Sequence, residues 1–346
     1  MLLSKLSHWL GRLSVGRKLT LIYLLDLTAV IYVSGILIHE KYLAIDFARK
    51  EIVGTAYTEA VRQNLMDVFL DARGATPDST ATHALQTVRE QYDEGLHTEA
   101  LSSRFAETLR GLQTTPAHTP PAAASHGARQ GALLAQGRDL LTTIGNQSNL
   151  ILDPDLDSYY VMSLTVLRFP ELLQVLHDAH DFMQGWGAAQ AGKNQAAQLL
   201  TLVGRLDAVL TGMESDYDQA WAAGSPQLAQ ALKASRTALH SQARGYQHAL
   251  EEAANQPGAS QQITPREGAM QQDTLAALDD AWRTAVVQLN ALLKARVEQL
   301  FARMWLHLGT ALLLLGSIPV FGVAAAQSYE SFLFFRLLIG AIGASF

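Results

Sequence analysis

The chain of 346 residues contains no cysteine. Disulfides, thiolate metal sites and cysteine nucleophiles are therefore excluded. The absence suits an extracytoplasmic domain that avoids stray oxidation, although by itself it is weak evidence of compartment. Proline is scarce, at 10 residues, and gathers in a few short stretches. Between them Ala, Leu, Gln and Glu are abundant, which favours helix. No segment alternates cleanly between apolar and polar residues, so no strand is predicted. Charged residues make up 17% of the chain and the formal net charge is −6, which sets nucleic acid aside as a partner. A Ser-His-Asp set, a glycine-rich phosphate loop and an H-E-x-x-H pair are also missing, so no catalytic activity and no cofactor are expected. The hydrophobic share of 49% is near average, unlike that of a polytopic transporter.

What is present is a pair of long apolar runs, one near each end. Residues 19–38 read LTLIYLLDLTAVIYVSGILI, with Asp26 the only charge. As a helix this run spans about 30 Å, the thickness of a bilayer core. Residues 1–18 carry Lys5, Arg12, Arg17 and Lys18 and no acid, so the positive-inside rule places the N-terminus in the cytoplasm. A cleaved signal peptide is the competing reading. The run is long for such a segment and no A-x-A site follows, which favours an uncleaved anchor. Asp26 costs roughly 2.5–3.5 kcal/mol in such a span; either a partner helix offsets that, or the apolar residues around it carry it.

The second run covers residues 305–326, with Pro319 as a possible kink and His307 near the outer interface. Lys294, Arg296 and Arg303 precede it on the proposed outside, a mild conflict with the charge rule, and the first helix is taken to decide orientation. Residues 39–304 then form an extracytoplasmic domain, and residues 327–346 an apolar tail.

Within 39–304 the periodicity predicts helices over 39–72, 81–90, 99–114, 128–152, 157–183, 194–223 and 225–255. A last helix should run from 266 into the second anchor. Breaks are predicted at RGATPDS, at the Pro- and Ala-rich 114–127, at DPDLDS, at Gly185, Gly187 and Gly192, and at 255–265. The expected fold class is all-α, an elongated helical bundle flanked by two transmembrane helices. One four-helix module, or better two stacked ones, would account for the helix count.

The most specific stretch is SNLILDPDLDSYYVMSLTVLRFPELLQ, residues 148–174. Asp153, Asp155 and Asp157 can form the turn and cap the next helix. Pro170 should bend or restart that helix after Phe169. With RKEIVGTAY (49–57), LNALLKARVEQL (289–300) and SVGRKLTLIYLLDL around the first anchor, the stretch resembles the periplasmic sensing regions of proteobacterial methyl-accepting chemotaxis proteins and of related membrane histidine kinases and diguanylate cyclases. The resemblance implies a homodimeric inner-membrane receptor. Its periplasmic bundle would sense a small molecule or a periplasmic protein and pass a small helix shift through the bilayer.

Such receptors continue into a HAMP linker and an output module, whereas here QSYESFLFFRLLIGAIGASF follows the second anchor. Truncation or a frameshift is the favoured expectation. A fragment, or a stand-alone membrane-anchored scaffold that binds a protein partner, are the alternatives.

Candidate ligand-binding residues are Arg62 and Arg168, since a small anion in a partly apolar pocket is best held by arginine, with Tyr57, Asn149 and Tyr160 as polar or aromatic neighbours. The D-x-D-x-D spacing of Asp153, Asp155 and Asp157 lacks the glycine and distal glutamate of a calcium loop. His177 and His180 sit three apart without an evident third ligand, so a solvated pair is expected and no metal site.

Overall fold

The structure, a computed structural model, describes residues 15–70, 79–114, 122–186, 193–255 and 260–325. Among them every regular element is helical. In chain order these are α1 (Val15–Leu70), α2 (Ser79–Leu96), α3 (Glu99–Thr114) and α4 (Ala122–Gln147). A 3₁₀ turn (Leu150–Leu152), α5 (Leu156–Met162), a π-helical segment (Ser163–Arg168) and α6 (Phe169–Trp186) follow, then α7 (Lys193–Ala223), α8 (Pro226–Asn255) and α9 (Ser260–Ala325). Of the predicted breaks, RGATPDS up to Ser79, residues 115–121, Gly187 and Gly192 fall outside the described residues, as does the tail 327–346.

The chain divides into two compact units, Phe47–Ala295 and the described parts of Met1–Asp46 and Arg296–Phe346. In the second of these, many large apolar side chains point outward, while one stripe at helical spacing, with Leu27, Val30, Leu37 and Ala44, is half-buried. Leu25, Ile31, Tyr32, Trp305, Leu306 and Leu313 are each at least 60% exposed. Within Leu27–Leu70 an 18-residue window has a mean hydropathy of 1.2, with 6% of it buried. A helix apolar all round is at home in a protein core or a bilayer.

In Phe47–Ala295 the burial pattern reverses. Tyr57, Val61 and Leu65 of α1, Leu133 and Leu140 of α4, Leu172 and Leu176 of α6, Leu206 of α7, Leu239 of α8 and Trp282 of α9 belong to one contiguous apolar core. The Phe169 and Trp282 rings meet there, with centroids 6.0 Å apart. In this unit α7 packs against α5, α6 and α8, and α4 against α3 and α6. Arg236 of α8 holds α7 by hydrogen bonding to Glu214, with Nε at 3.0 Å, while its guanidinium lies 4.2 Å from the Trp221 ring centre.

Several helix limits differ from the periodicity: the last helix begins at Ser260, inside the predicted 255–265 break, α6 runs on to Trp186, and two stops differ for one shared reason. The helix predicted for 81–90 extends to Leu96, and the one predicted for 128–152 spans Ala122–Gln147. Both stops are made by left-handed residues other than glycine, His97 (φ 52°) and Asn149 (φ 66°). At the first, the Thr98 N–H donates to the Asp93 carbonyl (3.1 Å) and the His97 N–H to that of Glu94 (3.4 Å). That is the paired closure usually built on glycine. Gly185, predicted as a turn, is helical within α6. Pro170 lacks an N–H and its ring crowds the carbonyl four residues earlier. The helix absorbs it by widening into the π segment just before Phe169.

The corner after α4 is wedged against α1. A Cβ placed on Gly54 would lie 2.0 Å from Ser148 Oγ and 2.8 Å from Leu150 Cδ1. Only glycine lets the two backbones come this close. Gly54→Ala is therefore expected to destabilise the full chain in detergent micelles by about 1–3 kcal/mol in denaturant titration. Gly204→Ala, in open space on α7, should stabilise it by about 0.5–1 kcal/mol. Equal behaviour of the two variants would show that the crossing is not tight.

Candidate functional site

The best-defined polar cluster centres on a buried carboxylate that the sequence does not advertise. Asp93 sits one turn before the end of α2, and the α2–α3 turn folds back over it. Oδ1 accepts hydrogen bonds from Tyr57 Oη at 2.5 Å and Thr98 Oγ1 at 2.7 Å; Oδ2 accepts from Ser102 Oγ at 2.5 Å. Arg89, one turn up α2, brings Nε to 3.6 Å from Oδ2. It also donates to Ser102 Oγ at 3.0 Å and, through Nη2, to Ser103 Oγ at 2.9 Å. A buried charge is tolerated when hydrogen-bonded and paired in this way. Burial, with the Asp93 bond and charge behind it, pushes the Tyr57 phenol well above its ordinary range, so it stays a donor. Through Tyr57 the hairpin is tied to α1.

Next to this network a groove of about 680 Å³ lies between α2 and α3, a size within the ~300–1,000 Å³ usual for small-molecule sites. Leu85, Ala106 and Leu109 form its buried apolar floor, and Arg89, Asp93 and Ser103 line it from the network side. Exposed Glu90, Glu94 and Glu99 stand toward the turn, and Arg110 stands on the later part of α3.

The five residues singled out from the sequence go to separate places, and none lines this groove. Tyr57 bonds Asp93. Arg62 is 4% exposed and reaches both Glu59 oxygens at 2.8 and 2.7 Å, while Nη1 bonds Asp279 of α9. Burial works against that charge, but Glu59 and then Asp279 keep the Arg62 pKa above its ordinary value. Arg168 closes the π segment and donates to Asp216 Oδ2 on α7 at 2.9 Å, an oxygen that also accepts from Ser163 Oγ at 2.8 Å. Its guanidinium lies over Gly212, where a Cβ would come within 2.8 Å. Asn149 is the left-handed residue ahead of the 3₁₀ turn. The Tyr160 ring stands edge-on to that of Tyr159, with centroids 5.3 Å apart.

In the acidic corner, Asp153 Oδ1 accepts from the Asp155 N–H at 3.0 Å and Asp157 Oδ1 from the Ser158 N–H at 2.8 Å. Asp155 occupies the N-cap position of α5, and its carbonyl receives the Tyr159 N–H. His177 is buried rather than solvated, its ring edge-on to Phe69 at 5.5 Å. His180 is separate from it in function: its Nδ1 lies 3.4 Å from Oε2 of the buried Glu267, whose Oε1 accepts from Tyr246 Oη at 2.5 Å. Among the described residues no group of three or more His, Asp or Glu is placed to hold a metal.

Sequence reasoning missed Asp93, Asp216 and Glu267. Each meets a partner across 20 or more residues of chain, as with Tyr57 and Asp93 (36 apart) or Ser163 and Asp216 (53 apart), although Asp93 also binds the nearby Thr98 and Ser102. The one local signal was Arg89 and Asp93 at i, i+4. No protein-family model, curated protein or solved structure matches this chain.

Two outcomes follow from this geometry. Tyr57→Phe should lower stability by about 1–2 kcal/mol, and Asp93→Ala by more, since it leaves three buried hydroxyls without their acceptor. A double-mutant cycle on the pair should show positive coupling; additive effects would remove Asp93 from its place at the centre. The His177 pKa is depressed by burial, against the pull of Asp181 and Asp178. Its stabilising neutral form is therefore fully present above about pH 6.5, and that stability is lost as pH falls below it. Melting curves across that window should decline less for His177→Leu than for the parent chain; parallel curves would show that His177 is not the group responsible.

Proposed function

We propose that the chain is a membrane-anchored sensor region of the chemoreceptor kind, with its helical bundle in the periplasm and apolar helices at both ends crossing the inner membrane. The supporting observation is the contrast along α1 and α9. Each is one unbroken helix with many large apolar residues exposed in one part and apolar residues buried in a core in another. Water does not tolerate the first arrangement and a bilayer does. A helical bundle with a buried polar network beside a groove of small-molecule size suits binding. In this reading the protein acts as a homodimer. An extracytoplasmic ligand, small molecule or protein, biases the packing of the first and last bundle helices, and the spans carry that bias inward.

Because the chain has no cysteine, single-cysteine labelling tests the topology without background. Ala234→Cys, on an exposed position of α8, should react with an impermeant maleimide in cells whose outer membrane alone is permeabilised. Ser4→Cys should react only after lysis. Labelling of both or neither from outside, or loss of the Ser4 region by cleavage, would sink the two-anchor reading.

A further inference from the structure

We propose that the groove between α2 and α3 binds a short linear peptide with both termini free, about three residues long. Its charge is graded along its length. Glu94 and Glu99 flank the turn end, with Glu90 one turn further in, and Arg110 stands on the later part of α3, away from the turn. The carboxylates suit an ammonium group and the guanidinium suits a carboxylate, which it can grip with two parallel hydrogen bonds. Between the two ends the floor is apolar, built of Leu85, Ala106 and Leu109. It accepts aliphatic side chains, while Gln86, Arg89 and Ser103 along the walls can meet the peptide backbone.

Length selects among dipolar ligands. Glu99 and Arg110 are eleven residues apart on one helix, about 16 Å along its axis. A side chain reaching inward at each end leaves roughly 10 Å, the span of three extended residues at about 3.3 Å each. A single amino acid carries its two charges on neighbouring carbons and cannot reach both ends. An uncharged or singly charged apolar molecule leaves one end unmatched.

The groove also has a route to the rest of the fold. An occupant beside Arg89 and Ser103 touches the side chains that complete the Asp93 cluster, and that cluster bonds Tyr57 of α1. This inference deepens the sensor reading and rests on it for its meaning, but binding and topology are read separately. Cysteine labelling can place the bundle outside while the groove binds no peptide, and the reverse outcome is equally visible.

The test is equilibrium dialysis of radiolabelled Ala-Leu-Ala against the purified full chain in lipid nanodiscs, with N-acetyl-Ala-Leu-Ala-amide and free leucine as comparison ligands. Saturable binding of the free tripeptide is expected. It should weaken at least about tenfold on capping the termini, in Arg110→Gln, and in the double variant Glu94→Gln/Glu99→Gln, each of which removes a charge-assisted contact. All three substituted positions are exposed, and an unchanged melting temperature in each variant separates lost binding from lost fold. Equal binding of the capped peptide or of leucine, variants that bind like the parent, or no saturable binding at millimolar tripeptide would overturn the proposal.

Discussion

The bundle depends on one close approach, that of Gly54 on α1 to the Ser148–Leu150 corner. At 2.0 Å from a hypothetical Cβ to Ser148 Oγ, the site admits no side chain. The corner that follows α4 is built to match this approach. Asn149 takes a left-handed conformation to end α4, and a single 3₁₀ turn buries Leu150. Asp153 folds the chain back on itself and Asp155 opens α5. The direction of α5, of the π segment and of α6 follows from that corner. The two stretches most suggestive in sequence, RKEIVGTAY and SNLILDPDLDSYY, are thus two sides of one contact. A small residue and a turn of fixed shape have to occur together for α1 and α4 to lie this close.

Charge is organised on the same principle, with buried ions used as pins between helices that are distant in sequence. Arg62 joins α1 to α9 through Asp279, Arg168 joins the π segment to α7 through Asp216, and Asp93 joins the α2–α3 hairpin to α1 through Tyr57. Apolar packing alone would allow neighbouring helices to slide by a turn at modest cost, since Leu on Leu is similar in either register. An ion pair with one buried member is different, because displacing the partner leaves Arg62, Asp216 or Asp93 short of a contact where water does not replace it. These contacts therefore select a register more than they add net stability. Arg62 and Arg168 are arginines within long helices, as a ligand site would require, but their nearest charges are the protein's own carboxylates.

Much of the helical order was legible without coordinates, because scarce proline and period-3.6 patterning survive in any all-α chain. α3, α7 and α8 fall within a residue or so of their predicted limits. Ends were misjudged where the stop signal was conformational and carried by an unusual residue. His97 and Asn149 do the work expected of glycine, while Gly185 sits inside a helix, so glycine counting misleads in both directions. Pro170 was recognisable as a disturbance, but whether a helix breaks or widens is decided by the neighbours that hold it, here Asp216 gripping both Ser163 and Arg168. The α2–α3 groove was illegible for a different reason. Its lining residues look like an ordinary solvated helix face until the His97 turn sets two such faces opposite each other.

The π segment and the α1–α9 pin bear on how a signal could leave the bundle. A π turn is a stretch of helix with one residue more than its neighbours' spacing requires, and it persists only while something holds it. Here the holder is the Arg168–Asp216–Ser163 cluster over Gly212. Arg62, by contrast, is chelated by Glu59 within its own helix before it reaches Asp279, so its head is fixed relative to α1 and a sliding of α9 would move Asp279 against it. On the proposed reading, the shift that reaches the spans is therefore a movement of α9 against a rigid α1. A displacement of an ångström or two is enough to exchange that contact, and a contact that is either made or lost adds to the preference of close-packed helices for discrete packings.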